Sequence, residues 1–236
     1  MSADQNAGHP GGAPGGGHPG GAPGGGHPGG VGSRAVFERQ YAGGTPPWDI
    51  GRPQPAIVAL EDAGALGPIV IDVGCGTGEN ALFLASRGHN VTGIDAAPAA
   101  IDSARAKARE RGLTAEFIAA DVLDALPAIG MSSDAVTDVG FFHALTDEQR
   151  PVFVDALAEV LVSSGVYAML CFSDRVPGAF GPRRVSEAEI RSAFSGRCWN
   201  VREIRPAELH SAVPAMPIVD ANLAIVERRN RLVAPA

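Results

Sequence analysis

Asp72-Val73-Gly74-Cys75-Gly76-Thr77-Gly78 is the stretch of this chain best suited to chemistry. Glycines at alternate positions let a backbone turn sharply and come close to a ligand. The apolar run before the loop reads as a strand, and a helical pattern starts near Glu79. A helix N-terminus offers unpaired N–H groups that favour a carboxylate or phosphate. A dinucleotide loop would carry its third glycine where this chain has Glu79, and an acid there repels a pyrophosphate.

The spacing found, with Asp72 ahead of it, suits a ligand that has an ammonium and no phosphate. The amino-acid end of S-adenosylmethionine is such a ligand. Asp95 ends the next apolar run, where a carboxylate can accept both hydrogen bonds of a ribose diol. Asp121 follows the third run and can accept from an adenine amino group, with the Val122 backbone serving the ring nitrogen. Any one of these acids alone would equally suit a helix cap or a solvated loop. Their recurrence, each just past its own strand and together with the glycine loop, favours a binding site.

The fourth run ends Thr137-Asp138-Val139-Gly140-Phe141-Phe142-His143. The unperturbed pKa of histidine suits a general base, so His143 is the candidate catalytic residue. Holding the cofactor or capping the next helix would explain it as well. Phe141 and Phe142 can stack on a flat ring, although one of them should face the core. Asp138 is grouped with the cofactor side, orienting a nearby donor. Asp174 and Arg175, after the fifth run, are further candidates to line the site, whereas His89 and His210 receive no role.

Positioning these residues takes alternating strands and helices. Strands are expected at 68–73, 90–94, 115–119, 135–141 and 166–172, with helices after Glu79, after Pro98 and after Thr146. Thr146 with Gln149 and Ser186 with Glu189 have capping-box spacing. Runs at 199–204 and 219–226 read as an antiparallel hairpin at one edge. The fold class is therefore α/β, a doubly wound, mostly parallel Rossmann-like sheet that binds ligands beyond the carboxyl ends of its strands.

The composition bounds the partners. The chain has 236 residues, 45% of them apolar, and a net charge of −7 without a basic run, which makes nucleic acid a poor partner. No apolar run approaches the ~18 residues of a membrane span. Cys75, Cys171 and Cys198 are widely spaced, which fits a reducing cytoplasm, and no metal motif is present. Residues 8–30 repeat Gly-His-Pro-Gly-Gly-Ala-Pro-Gly-Gly, with nothing large and apolar to bury. Residues 1–33 are thus expected to be a disordered tail, whose His9, His18 and His27 would bind transition metals loosely at most, and residues 34–236 one domain.

DVGCGTG, GID and AAD, in that order, resemble the class I S-adenosylmethionine-dependent methyltransferases from about Tyr41 to Arg228. The resemblance implies a seven-stranded sheet with an antiparallel last strand. It also implies that Asp72 with Gly74, Cys75, Gly76 and Gly78 holds the methionine part, Asp95 the ribose, and Asp121 with Val122 the adenine. Tyr41-Ala-Gly-Gly-Thr-Pro-Pro-Trp48-Asp-Ile-Gly-Arg52-Pro-Gln54 is similar to the segment before the core in thiopurine methyltransferase-like enzymes. It is closer to the mycobacterial heterocyclic toxin methyltransferases, which act on quinolones, quinones and related aromatics. In them this segment folds over the site, which would set Trp48 against the cofactor and Tyr41, with Phe142, against the substrate.

Methyl transfer asks an enzyme to align a nucleophile in line with the sulfonium and to exclude water. The fourth strand end lacks the Asn-Pro-Pro-Tyr or Asp-Pro-Pro-Tyr of enzymes that act on amides and base amines. That argues against DNA and protein glutamine as substrates, and the resemblance implies a small aromatic or heterocyclic acceptor instead, at oxygen, nitrogen or sulfur. Two rivals remain: a nicotinamide-dependent oxidoreductase, disfavoured by the glycine spacing, and a non-catalytic S-adenosylmethionine-binding sensor or scaffold. Lys107, the only lysine, lies on a helix at no evident site.

Overall fold

The computed structural model describes residues 38–41, 43–44, 46–178 and 181–229. The Gly/His/Pro repeat and the boundary expected at residue 33 lie outside the described residues. A helical turn at 38–41 and an extended segment precede α1 (Pro55–Asp62), whose Pro55 fills the first helical position, where a missing N–H costs nothing.

The core alternates from there. The elements are β1 (Ile69–Val73), α2 (Glu79–Ser86), β2 (Asn90–Asp95), α3 (Pro98–Glu110) and β3 (Glu116–Ala119). They continue as α4 (Val122–Ala128), β4 (Ser133–Val139), a 3₁₀ turn (Phe142–Ala144), α5 (Gln149–Val160) and β5 (Leu161–Phe172). The chain ends in α6 (Glu187–Ala193), β6 (Trp199–His210) and β7 (Ile218–Arg228). The sheet has seven strands in the order β3-β2-β1-β4-β5-β7-β6. The strands from β3 to β5 are parallel, and β7 runs antiparallel to both β5 and β6. The Rossmann-like sheet with its antiparallel last strand is therefore present. Among the described residues no helix is long and apolar enough to cross a membrane.

Successive strand residues point to opposite faces, and the core follows that period. Val70, Val91, Ala135 and Leu170 face one side, against Ile57 of α1, Leu82 of α2 and Ile101 of α3. Ile71, Ile94, Val136 and Met169 face the other, against Leu126 of α4, Leu157 of α5 and Ile190 of α6. Burying a side chain of this size contributes about 1.5–3 kcal/mol. Both faces of β1 and β4 are covered, which explains why these strands read as continuous apolar runs rather than as alternating ones.

Both capping boxes form. Ser186 and Glu189 bond reciprocally at the start of α6. Gln149 N donates to Thr146 Oγ1, and Thr146 N donates to Gln149 Oε1. Two helices lie where no helix was expected. α1 is short, and α4 carries Pro127 and buries only Val122 and Leu126, so neither gives a clear apolar stripe. β6 runs well beyond its expected end, to His210, because polar and proline residues such as Pro206 sit on the edge strand, where a ladder tolerates them, whereas β7 lies close to its expected run.

Candidate functional site

The strand order reverses direction between β1 and β4, and register places their carboxyl ends level, with Val73 opposite Asp138. A cavity of about 430 Å³ opens there, lined by the glycine loop, the ends of β2 and β4, α4, segment 47–54 and the 209–219 loop. That is the usual ligand crevice of an open α/β sheet, at a size suited to small molecules.

The loop is shaped by what its glycines leave out. Gly76 has φ +54°, and a Cβ on it would stand 2.7 Å from the Tyr41 hydroxyl. Gly78 has φ +82°, and its Cβ would strike Ala104 of α3 and Phe117 of β3. Gly76 thus admits the aromatic cover, whereas Gly78 lets helix and sheet close up. Gly78, expected to help hold a cofactor, packs against α3 and β3 and is not among the residues that border the cavity.

Asp95 lines the cavity with both oxygens anchored: Oδ2 accepts from Gly76 N at 2.9 Å and Oδ1 from Ala97 N at 2.8 Å. Each oxygen keeps a further acceptor site, as binding a vicinal diol requires. Asp121 caps α4, Oδ1 accepting from Leu123 N at 2.9 Å, and also lines the cavity beside Val122. The helix-cap reading of this acid is met, and its residue also borders the cavity.

Asp72 and Asp138 stand behind the wall. Asp72 is 1% exposed; Thr137 donates to its Oδ1, and Oδ2 has no hydrogen-bond partner. Burial pushes this carboxyl up to about 7, opposed by the Thr137 bond and reinforced by repulsion from Asp138 and Asp95. Asp138 is fully buried and accepts from Phe141 N, Phe142 N and the Tyr167 hydroxyl. Burial raises it to about 6 against those bonds. Neither lines the cavity, so direct contact of Asp72 or Asp138 with a cofactor is corrected: Asp138 shapes the turn after β4, and Asp72 acts from beneath the loop. Burial raises Asp95 as well. Burial is the first cause at all three carboxyls, and at Asp72 the neighbouring Asp138 and Asp95 add to it. An orphaned buried carboxylate oxygen and a diol acceptor fit a cofactor that carries a sulfonium and an ammonium.

Lys107, given no role from sequence, reaches the loop. Its ammonium lies 2.8 Å from Glu79 Oε1 and donates to Thr77 Oγ1 at 2.7 Å, and Thr77 donates to Asp49 Oδ2 at 2.7 Å. Arg111 adds a bidentate pair to Glu79. Burial works against the Glu79 charge, but the Arg111 and Lys107 hydrogen bonds hold it below the usual carboxylate range. The chain of contacts ties segment 47–54 to α3 through the glycine loop. That segment is also pinned by Gln54, which exchanges bonds with the His210 backbone, and by Ala212 N donating to Pro47 O. The only sequence signal for Lys107 was its singularity.

Tyr41 and Trp48 both line the cavity, the indole N–H donating to the phenol oxygen at 2.9 Å. Tyr41 stands over Gly76, at the loop end of the cavity. Burial, with Asp95, holds its phenol above the usual range. Phe141 forms wall, while Phe142 is fully buried, packed beside Phe194 and beneath the Arg150 guanidinium. The expected substrate contact of Phe142 is therefore corrected to a core role. The 3₁₀ turn sends consecutive side chains to different sides, which the Phe-Phe pair does not disclose. Neither Asp174 nor Arg175 lines the cavity; Arg175 bonds Asn222 and the Ala221 carbonyl. His89 pairs with Glu61 at 2.6 Å, away from the site.

His143 does line the cavity and is 8% exposed. Its Nδ1 accepts from Phe172 N at 3.1 Å, which places the proton of the neutral ring on Nε2. Burial, then Arg150 and Arg184, push it down to about 3. The general base expected of His143 is thus corrected. Its accessible nitrogen carries a proton rather than a lone pair, and the imidazolium is disfavoured at neutral pH.

A family model described as a methyltransferase domain matches residues 70–165. The chain is 36% identical over 187 residues to 2-heptyl-1-hydroxyquinolin-4(1H)-one methyltransferase of Mycobacteroides abscessus, covering 75% of this chain and 81% of that protein. A solved structure concerned with conversion of a disulfide bond into a thioacetal group during echinomycin biosynthesis aligns with TM-score 0.75 and 34% identity. The alignment covers 83% of this chain and 91% of that one. The Burkholderia thailandensis 1,6-didemethyltoxoflavin-N1-methyltransferase, solved with its acceptor and S-adenosylhomocysteine, aligns with TM-score 0.65. It is 18% identical, over 84% of this chain and 87% of that one, a likeness of fold alone.

Proposed function

Because the chain belongs to the class I S-adenosylmethionine-dependent methyltransferases, we propose that it methylates a hydroxyl on a flat heteroaromatic small molecule, of the hydroxyquinolone or quinone type. One observation carries the choice of acceptor. Beyond the glycine loop the cavity is walled largely by Phe141, Leu145, Phe172, Leu209, Met216 and Val219, with His143, Gln149 and Ser211 among the few polar side chains there. Mostly apolar and aromatic walls with a few polar groups suit a flat ring that bears polar functions. The name of the Mycobacteroides abscessus relative agrees with that chemistry.

S-Adenosylmethionine supplies an electrophilic methyl group on a sulfonium. Asp95 would hold the ribose diol through the free sides of its two oxygens, which Gly76 and Ala97 fix in place. Asp121 and the Val122 amide would hold the adenine edge at the start of α4. The loop of Gly74, Cys75 and Gly76 would bed the methionine part, with Asp72 supplying negative potential from below and Tyr41 and Trp48 closing above. The chain's part in the reaction is alignment and dryness: the Lys107–Thr77–Asp49 contacts hold the cover down, and the aromatic wall keeps water from the nucleophile.

The test is formation of S-adenosylhomocysteine with a panel of hydroxyquinolones, quinols, phenols and thiols, beside Asp95→Ala. Product from the hydroxylated heteroaromatics, lost in Asp95→Ala, is expected. Cofactor binding with no acceptor turned over would return the chain to the sensor reading.

A further inference from the structure

An oxygen acceptor must lose its proton before or during attack, and among the described residues of the cavity no side chain is placed to take it. Asp95 and Asp121 stand at the ends of β2 and β3, on the side of the cavity assigned to the ribose and the adenine. Glu79 is paired with Lys107 and Arg111, and Asp49 accepts from Thr77. The Tyr41 oxygen faces the loop and accepts from Trp48. His143 is the remaining candidate, and its Nδ1 lone pair is taken by the Phe172 amide. Accepting a proton at Nε2 would require the neutral ring first to move its own proton to Nδ1, against the Phe172 N–H. Nε2 itself has no hydrogen-bond partner among the described residues. It is not sealed from solvent, and it lies beside Gly140 on the cavity wall.

Positive charge backs this wall. Arg150 of α5 is buried over the Phe142 ring, with Nε and Nη2 unpartnered and one contact to Glu189 at 3.5 Å. Arg150 and Arg184, the latter on the loop before α6, are the charged groups whose field His143 feels. Asp138, at the end of β4, is occupied by two amides and a phenol, and Glu189 by Arg150, Arg183 and Ser186. Such a field opposes an imidazolium and favours an anion set against the Nε2–H.

Resting on the reading of the site as a methyltransferase for hydroxylated heteroaromatics, we propose that it takes its acceptor already ionised. The class is N-hydroxy, enolic or phenolic oxygens and thiols acidic enough to be anions near neutrality, with the His143 Nε2–H as a fixed donor to the anion. The acceptor's proton goes to solvent on binding. In the transfer a lone pair of the anionic oxygen or sulfur forms the bond to the methyl carbon. The carbon–sulfur bond breaks with its pair going to sulfur. Anion and sulfonium are both neutralised, and no proton moves.

The probe is 4-nitrophenol, whose anion is coloured, titrated with protein and S-adenosylhomocysteine. Bound probe is expected to ionise at lower pH than free probe, its acid constant raised at least about tenfold, the size of effect of one charge-assisted hydrogen bond. In turnover, the pH at which kcat/KM levels off is expected to follow each acceptor's own acidity. His143→Gln offers the Phe172 amide a carbonyl and the cavity an N–H, yet cannot act as a base. It is expected to keep kcat/KM within about fivefold of wild type, while His143→Ala loses about tenfold or more and loses the probe shift. A pH break common to all acceptors, with Gln as inactive as Ala, or a probe bound in its neutral form, overturns the proposal. The wild-type probe titration decides even if both variants fold poorly. Hydroxyquinolones methylated with such a fixed break sink this inference and leave the function standing. Probe anion bound with no heteroaromatic turned over sinks the function instead.

Discussion

Asp72→Asn removes a charge that the folded protein holds at a cost. The carboxyl titrates at about 7 in the fold, against 3.8 ordinarily. That difference, roughly 3 units at 1.36 kcal/mol each, is on the order of 4 kcal/mol above neutrality. The asparagine keeps an acceptor for Thr137 but places an N–H where Oδ2 has no partner, which costs about 1–3 kcal/mol. The net gain is about 1–3 kcal/mol, a cofactor-free Tm higher by roughly 2–12 °C at about pH 8. The folded pKa lies above the unfolded one, so the fold binds more protons between the two values. Wild type therefore loses stability as pH rises from about 4 to about 7, and the variant loses less, since only Asp138 and Asp95 still contribute there. The assay is thermal melting of both proteins without cofactor across that window, with the gap closing as pH falls. Parallel profiles would refute the account of a buried, uncompensated carboxylate at Asp72.

Other consequences follow from the same geometry. Asp95→Asn can accept from only one of the Gly76 and Ala97 amides and turns an N–H toward the other, so S-adenosylhomocysteine should bind about 100-fold more weakly by calorimetry and the cofactor-free melt should fall as well. Phe142→Ala should cost about 3–5 kcal/mol of stability, whereas Phe141→Ala should spare stability and raise the acceptor KM; equal melts would contradict the division of the pair. Lys107→Met breaks the tie between α3 and the covering segment, so cofactor dissociation in stopped flow should quicken about tenfold, and an unchanged rate would deny it that role.

The sequence discloses the sheet and the cofactor end of this site because both rest on local rules. A buried parallel strand must be an apolar run, and the turn at Gly76 can be made only by a glycine, so β1, the loop and Asp95 are readable in order. The acceptor end depends on directions that spacing does not carry. Phe141 and Phe142 are neighbours of one type, and the 3₁₀ turn alone decides which meets the cavity. His143 has the residue type of a base, but its protonation is set by the Phe172 amide on another strand. Asp138 and Asp72 stand at the ends of the right strands, yet the side chains of Thr137 and Tyr167 draw them inward. Lys107 carries no motif, and its partners Thr77 and Asp49 come from two distant segments.

The single lysine has a practical corollary. Its amine is the chain's only ε-amino group, and it is 22% exposed, with its hydrogens committed to Glu79 and Thr77. An amine-directed acylating reagent thus has one side-chain target, and that amine is held by Glu79 and Thr77 at the glycine loop. The rate of acylation at this position reads out how often those contacts open, in the native chain and without any introduced label.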